Sequence, residues 1–173
     1  NTENVGECTF VGAYAGWDNN RTGGIGLYRG ANNSYFGFGA GGKNRDGSDN
    51  VGIGHDADFL TLGNDESQNM RNVFIGSSTR IFNANDAVLI GHSGVIDNNA
   101  HRTVALGSGI DAAGQHSVAI GYLANLETTA DNAVGIGYQV DVDGLQATAI
   151  GSNTVVSGTN STAIGYQASV AAN

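Results

Sequence analysis

The sequence predicts an all-β chain: a parallel β-solenoid of about eleven coils, each of 14–16 residues with two short strands. Three observations predict it. A short apolar phrase ending in glycine recurs along the chain. Side chains within the phrase alternate in character with period two, as they do along a strand. Gly, Asn, Asp and Ser separate one phrase from the next, and these residues suit tight turns. No stretch sustains a helical period.

The phrase is plainest at Ser117-Val-Ala-Ile-Gly121. It returns as Val134-Gly-Ile-Gly137, Thr148-Ala-Ile-Gly151 and Thr162-Ala-Ile-Gly165, and upstream as Val104-Ala-Leu-Gly107, Val88-Leu-Ile-Gly91 and Val73-Phe-Ile-Gly76. The glycine closing each phrase serves as an anchor and as a structural turn residue. The anchors are Gly12, Gly26, Gly37, Gly54, Gly76, Gly91, Gly107, Gly121, Gly137, Gly151 and Gly165. The last six spacings lie between 14 and 16 residues, and the earlier ones scatter from 11 to 22. The longest gap contains Leu60-Thr-Leu-Gly63, read as a degenerate extra coil. The chain thus divides into irregular, aromatic- and glycine-rich repeats over 1–102 and regular repeats over 103–173, in one continuous solenoid.

Side-chain columns set the register. A large apolar residue precedes every anchor, from Val11 to Ile164, and nine of the eleven coils carry Val or Thr three residues before it. These two columns share a strand face, which is expected to point into the coil. Between them sit Gly52, Ala105, Ala119, Gly135, Ala149 and Ala163. That small face is expected to lie against copies of the chain. Five residues past the anchor, Trp17, Phe59, Ile81, Ile96, Leu126, Val142, Val156 and Val170 mark the second strand. About three inward aliphatics per coil, at roughly 1.5–3 kcal/mol each, fall short of ordering the coil at about 1.5 kcal/mol per residue. The rod is therefore expected to bury further surface against partners.

Composition excludes several classes. Glycine numbers 28 and proline is absent, yet there is no G-X-Y period, so the chain is not collagen. With 40% hydrophobic residues it is not simply disordered. The net charge of -9 argues against nucleic-acid binding and against docking on anionic membranes. All seven basic residues lie in the first 102 positions. Cys8 is the one cysteine, so redox compartment is unreadable. No apolar run approaches the roughly 18 residues of a membrane helix. The chain opens on Asn1, and a processed product or a fragment of a longer protein is expected.

Residues His116–Ala124 and Ser161–Val170 match closely the pattern S-V-A-I-G-x-x-A-x-A. They resemble the head repeats of trimeric autotransporter adhesins, the YadA-like heads, specifically over 103–173 and recognisably from residue 72. The resemblance implies a left-handed β-roll, three chains intertwined or side by side as a homotrimer, and an extracellular position on a bacterial surface fibre anchored in the outer membrane. Thr9-Phe-Val-Gly-Ala-Tyr-Ala-Gly16 and Ser34-Tyr-Phe-Gly-Phe-Gly-Ala-Gly41 are similar instead to related repeats of phage tail fibres. The function expected is non-catalytic: a trimeric head segment presenting a repetitive surface to host cells, glycans or matrix proteins. The alternative is a structural spacer of a phage or surface fibre whose receptor site lies elsewhere.

Few residues point to chemistry. Seven of thirteen aromatics fall in the first forty residues. They read as a bulkier core and N-terminal cap, or as a sugar-stacking site in which Tyr14, Trp17 and Tyr28 are the ligand-binding candidates. The residue after each anchor (His55, Ser77, His92, Ser108, Tyr122, Tyr138, Ser152, Tyr166) should form a stripe along one edge. Loops Asn44–Asn50 and Asn64–Arg71 and the turns around Asn98 interrupt the period and are candidate recognition loops. Asp141-Val-Asp-Gly144 spells the opening of a calcium loop without its remainder, and His55 with Asp56 and Asp58 is the best histidine cluster. No lipase-like nucleophile motif, zinc-protease motif or phosphate loop occurs. No catalytic residue, metal or cofactor is assigned.

Overall fold

The computed structural model describes residues 6–19, 30–59 and 69–172. Their strands are, in chain order, β1 (Thr9–Val11), β2 (Ser34–Phe36), β3 (Val51–Ile53), β4 (Asp58–Phe59), β5 (Val73–Ser77) and β6 (Arg80–Ile81). Then come β7 (Val88–His92), β8 (Val95–Ile96), β9 (Val104–Ser108), β10 (Asp111–Ala112), β11 (Val118–Tyr122) and β12 (Asn125–Leu126). The last six are β13 (Val134–Tyr138), β14 (Asp141–Val142), β15 (Thr148–Ser152), β16 (Val155–Val156), β17 (Thr162–Ile164) and β18 (Ser169–Val170).

These strands form the expected parallel β-solenoid. One ten-stranded sheet runs β1-β2-β3-β5-β7-β9-β11-β13-β15-β17, and one eight-stranded sheet runs from β4 to β18 through the even-numbered strands. From β3 onward each coil therefore sends one strand to each sheet. Like stacks on like: Gly107, Gly121 and Gly137 are register partners, as are Leu106, Ile120 and Ile136. Two departures occur at the N-terminal end. β1 pairs directly with β2, and β3 directly with β5. Gly26 and Leu60-Gly63 themselves lie outside the described residues. The second sheet begins only at β4, because the described segments after β1 and β2 run as turns.

The anchors are glycines for a steric reason. Gly121 has φ +136°, and a Cβ there would overlap the carbonyl oxygen of Gly137 in the next coil. Corners are turned by left-handed residues two positions past the anchor, such as Leu123 (φ 51°), and five positions before it, such as His116 (φ 55°). That conformation costs an ordinary residue about 1–2 kcal/mol. The backbone ladder holds it in place: the Leu123 amide donates to Ser108 O at 2.9 Å and the His116 amide to His101 O at 2.9 Å.

The structure inverts the expected faces of the first sheet. The small column is the interior: Ala105, Ala119, Gly135 and Ala149 are all fully buried, with Phe74 and Leu89 in the same column. They face the second sheet, whose Ile81, Ile96, Leu126, Val142 and Val156 are also fully buried. A Cβ on Gly135 would lie 2.7 Å from Leu126 Cδ1. In the regular coils small residues on one sheet make room for aliphatics such as Leu126 and Val142 on the other, whereas the earlier coils fit Phe74 and Leu89 in the same column. The Val and Ile columns consequently point out of the coil. Trp17 is likewise no core residue; it lies in a turn and is 60% exposed.

Polar residues continue the interior at one corner. Asn33, Asn50 and Asn72 sit four residues before successive anchors and are fully buried. Asn50 donates through Nδ2 to Asn33 Oδ1 (3.1 Å) and to Asn69 O (2.7 Å), and its Oδ1 accepts from the Asn72 amide at 2.9 Å. Further along, Thr103 and Ser117 take over this column, donating to Gly114 O (2.8 Å) and Ala130 O (2.7 Å). Each of these buried side chains thereby meets a partner in a neighbouring coil.

Candidate functional surfaces

Three surfaces stand out on this scaffold. The first is the outer face of the ten-stranded sheet. Its column before the anchors includes Val11 (54% exposed), Phe36 (40%), Ile53 (39%), Ile90 (40%) and Ile164 (68%), with Ile75, Leu106, Ile120, Ile136 and Ile150 half-buried. One apolar residue per coil thus lines the whole rod. A stripe of that length exceeds the scattered apolar exposure usual on a monomer surface.

The second surface is the edge formed by residues just past the anchors. Tyr122 and Tyr138 are register partners whose rings stack 5.5 Å apart at 11°. Tyr122, Tyr138 and Tyr166 are all exposed. The edge stripe expected from the sequence is present.

The third surface is a cleft of about 400 Å³ at the N-terminal end, lined by Tyr14, Trp17, Phe38, Lys43, Asp56, Asp58, Arg80 and neighbouring residues. Tyr14 packs edge-on against Trp17 (centroids 5.3 Å, 65°) and against Phe38 (5.6 Å, 82°). Phe38 is backed by His55, stacked at 5.4 Å. The three wall aromatics are each roughly half exposed or more. Gly42 keeps the floor low, since a Cβ there would come within 3.2 Å of Gly39 O. Asp58 and Arg80 are register partners in β4 and β6, so the second sheet supplies the charged wall. Asp58 Oδ1 accepts the Lys43 amide at 2.9 Å. Burial pushes the Asp58 carboxyl up to about 6, against the opposing pull of the Lys43 and Phe59 amides and the Lys43 and Arg80 charges.

Of the residues singled out in the sequence, Tyr14 and Trp17 come together here, and Tyr28 lies outside the described residues. Phe38, Lys43 and Arg80 were missed. The signal was in the columns: Phe38 follows its anchor by one residue and Tyr14 by two, in coils that pair directly. Four other aromatics pack into the coil instead. Phe10 stacks on Tyr35 at 5.3 Å, and Phe59 meets Phe74 at 4.9 Å, inside the coil. Most of the loop at Asn44–Asn50 is turned inward, with Asp49 left exposed. Asn44, Asp46, Ser48 and Asn50 are buried, and Asn44 Oδ1 caps the Gly47 amide at 3.0 Å. Residues 64–68 lie outside the described residues.

The histidines do not converge. His55 pairs with Asp56 at 3.4 Å, and His92 lies in reach of Ser93. Arg102 Nη1 donates to His116 Nε2 at 2.6 Å. His101 Nδ1 accepts the Asn85 amide at 3.0 Å, and burial, reinforced by Arg102, holds its pKa below the usual value. Among the described residues one carboxylate group gathers, Glu127 with Asp141 and Asp143, its oxygens within 4.8 Å of one another. Asn125 Nδ2 donates to Glu127 and Asp141, both at 2.9 Å, and Ser157 Oγ donates to Asp143 at 3.0 Å.

The family described as the YadA head domain repeat matches the chain in two copies, at residues 112–125 and 143–168. No curated protein matches the chain.

Proposed function

We propose, on the premise that this chain carries YadA head repeats, that it is a non-catalytic, trimeric head segment of an extracellular fibre, presenting a repetitive surface for attachment to host cells, glycans or matrix proteins. The observation that carries the reading is the aliphatic stripe on the ten-stranded sheet. Its residues repeat once per coil along the full ladder, at about 4.8 Å per strand. A partner that covers it throughout must offer the same repeat, and another copy of this rod does. Burying the stripe also supplies the apolar surface that one thin coil lacks. Closed three-fold association satisfies all copies equally and leaves the second sheet facing outward. Weak contacts made by three identical outer faces then gain avidity.

The test is hydrodynamic first. Sedimentation of the intact chain should give a three-chain mass, and Leu106→Asp with Ile136→Asp should shift it toward monomer. A monomeric wild type at micromolar concentration overturns the reading. The verified trimer is then offered to whole bacterial cells and to immobilised matrix proteins in parallel. Saturable binding to matrix identifies a bacterial adhesin head, and binding to particular bacterial strains a phage receptor-binding fibre. Binding to neither leaves a structural spacer of either fibre.

A further inference from the structure

We infer that the N-terminal cleft between Tyr14, Trp17, Phe38 and the Asp58–Arg80 pair is a carbohydrate site that takes a neutral hexose unit of a surface glycan. The inference deepens the attachment reading and rests on it. Four features of the cleft support it.

Its apolar wall is made of aromatic rings packed edge-on, at 65° and 82°. An edge-on contact covers one face of only one of its two rings, and Trp17 keeps 60% of its surface exposed. The C–H face of a pyranose stacks on such a ring, as apolar ligand faces do on aromatic walls generally. The lining also carries charges of both signs, Asp56 and Asp58 with Lys43 and Arg80. A sugar hydroxyl donates one hydrogen bond and accepts others, so paired carboxylates and cations satisfy it on both counts. The volume of about 400 Å³ suits one or two sugar rings and falls in the usual range for small-ligand sites. The charge balance narrows the class. Asp56 and Asp58 balance Lys43 and Arg80 on the lining, so the cleft offers no excess of cations to sialylated or uronate sugars. The two cations in turn disfavour a basic peptide.

The charged part of the cleft lies on the sheet that the proposed trimer leaves facing outward. Asp58 and Arg80 lie on the second sheet, away from the aliphatic stripe. Three copies would stand around the rod axis, so a shallow site of modest affinity could still hold a cell through avidity.

The test uses the trimeric chain on an array of glucose-, galactose-, mannose- and N-acetylhexosamine-terminated oligosaccharides, with sialylated, uronate-containing and lysine-rich peptide spots as comparators. Binding to a neutral class is expected, and Trp17→Ala should weaken it by about tenfold or more while leaving trimer mass and melting temperature unchanged. Arg80→Gln should weaken it with the stacking wall intact. In parallel, the wild type is offered to cells that it binds, before and after periodate cleavage of vicinal diols. Loss of binding after periodate and with Trp17→Ala supports the inference. Binding that survives both overturns the sugar site while the attachment reading stands. Absence of binding to every cell and every neutral saccharide overturns both. A preference for the peptide or acidic-sugar spots overturns the assignment of ligand class.

Discussion

Gly121→Ala should unfold the middle of the rod at a cost of about 3–5 kcal/mol. Gly121 has φ +136°, a region that residues with a Cβ rarely occupy, and holding alanine there costs about 1–3 kcal/mol. The new methyl would also overlap the carbonyl oxygen of Gly137, so β11 and β13 must separate locally. Losing about two ladder hydrogen bonds adds roughly 1 kcal/mol each. The control is Gly135→Ala, two residues from the next anchor. Its φ lies outside the left-handed range, and its nearest contact would be Leu126 Cδ1 at 2.7 Å, the end of a side chain that can turn aside. Its neighbours in the column are Ala119 and Ala149, so this change should stay within about 1 kcal/mol. Urea denaturation followed by far-UV circular dichroism measures both. If Gly121→Ala costs no more than Gly135→Ala, the argument that anchors are glycine by close approach is wrong. Loss of cooperativity confined to Gly121→Ala would support it, because each coil is stabilised by its neighbours.

Other expectations follow from the buried polar groups. Asn50→Ala leaves Asn69 O and the Asn72 amide without their partner, and should cost about 2–4 kcal/mol in chemical denaturation; a cost below about 1 kcal/mol would mean that water replaces the amide. Asp58 has its folded pKa raised from 3.8 to about 6, so the folded state holds its proton longer than the unfolded chain. Stability from this group is present at low pH and falls as pH rises through that window, and Asp58→Asn should remove this component when stability is compared across it. His101 has its folded pKa lowered, so its contribution is present above the ordinary histidine value and is lost on acidification. His101→Asn, which keeps an acceptor for the Asn85 amide, should flatten the acid limb of the stability profile below the ordinary histidine range. An unchanged acid limb in His101→Asn would assign that limb to other groups.

Much of the architecture is written in one dimension. The recurrence of V-x-I-G, the glycine anchors and the turn residues specify strands, parallel stacking and register, because a repeat every 14–16 residues can satisfy its backbone by pairing with its own copy. The edge stripe at Tyr122 and Tyr138 follows from the same register. The recurrence alone marks Gly107, Gly121, Gly137 and Gly151 of the regular coils as obligatory, although it does not disclose the overlap with the next carbonyl that makes them so.

What only the tertiary structure decided was which face is inside. Period two separates Val118 and Ile120 from Ala119, but alternation carries no sign. In the regular coils the sign comes from the distance between the two sheets: with Leu126 and Val142 already filling the gap, a small Ala119 or Gly135 stands opposite and the larger side chains face outward. The cleft was equally hidden. Tyr14 and Phe38 are 24 positions apart, and they meet because β1 pairs directly with β2. Local sequence specifies a strand's period and its turns, whereas packing volume and strand order, which depend on residues far along the chain, decide what each face meets.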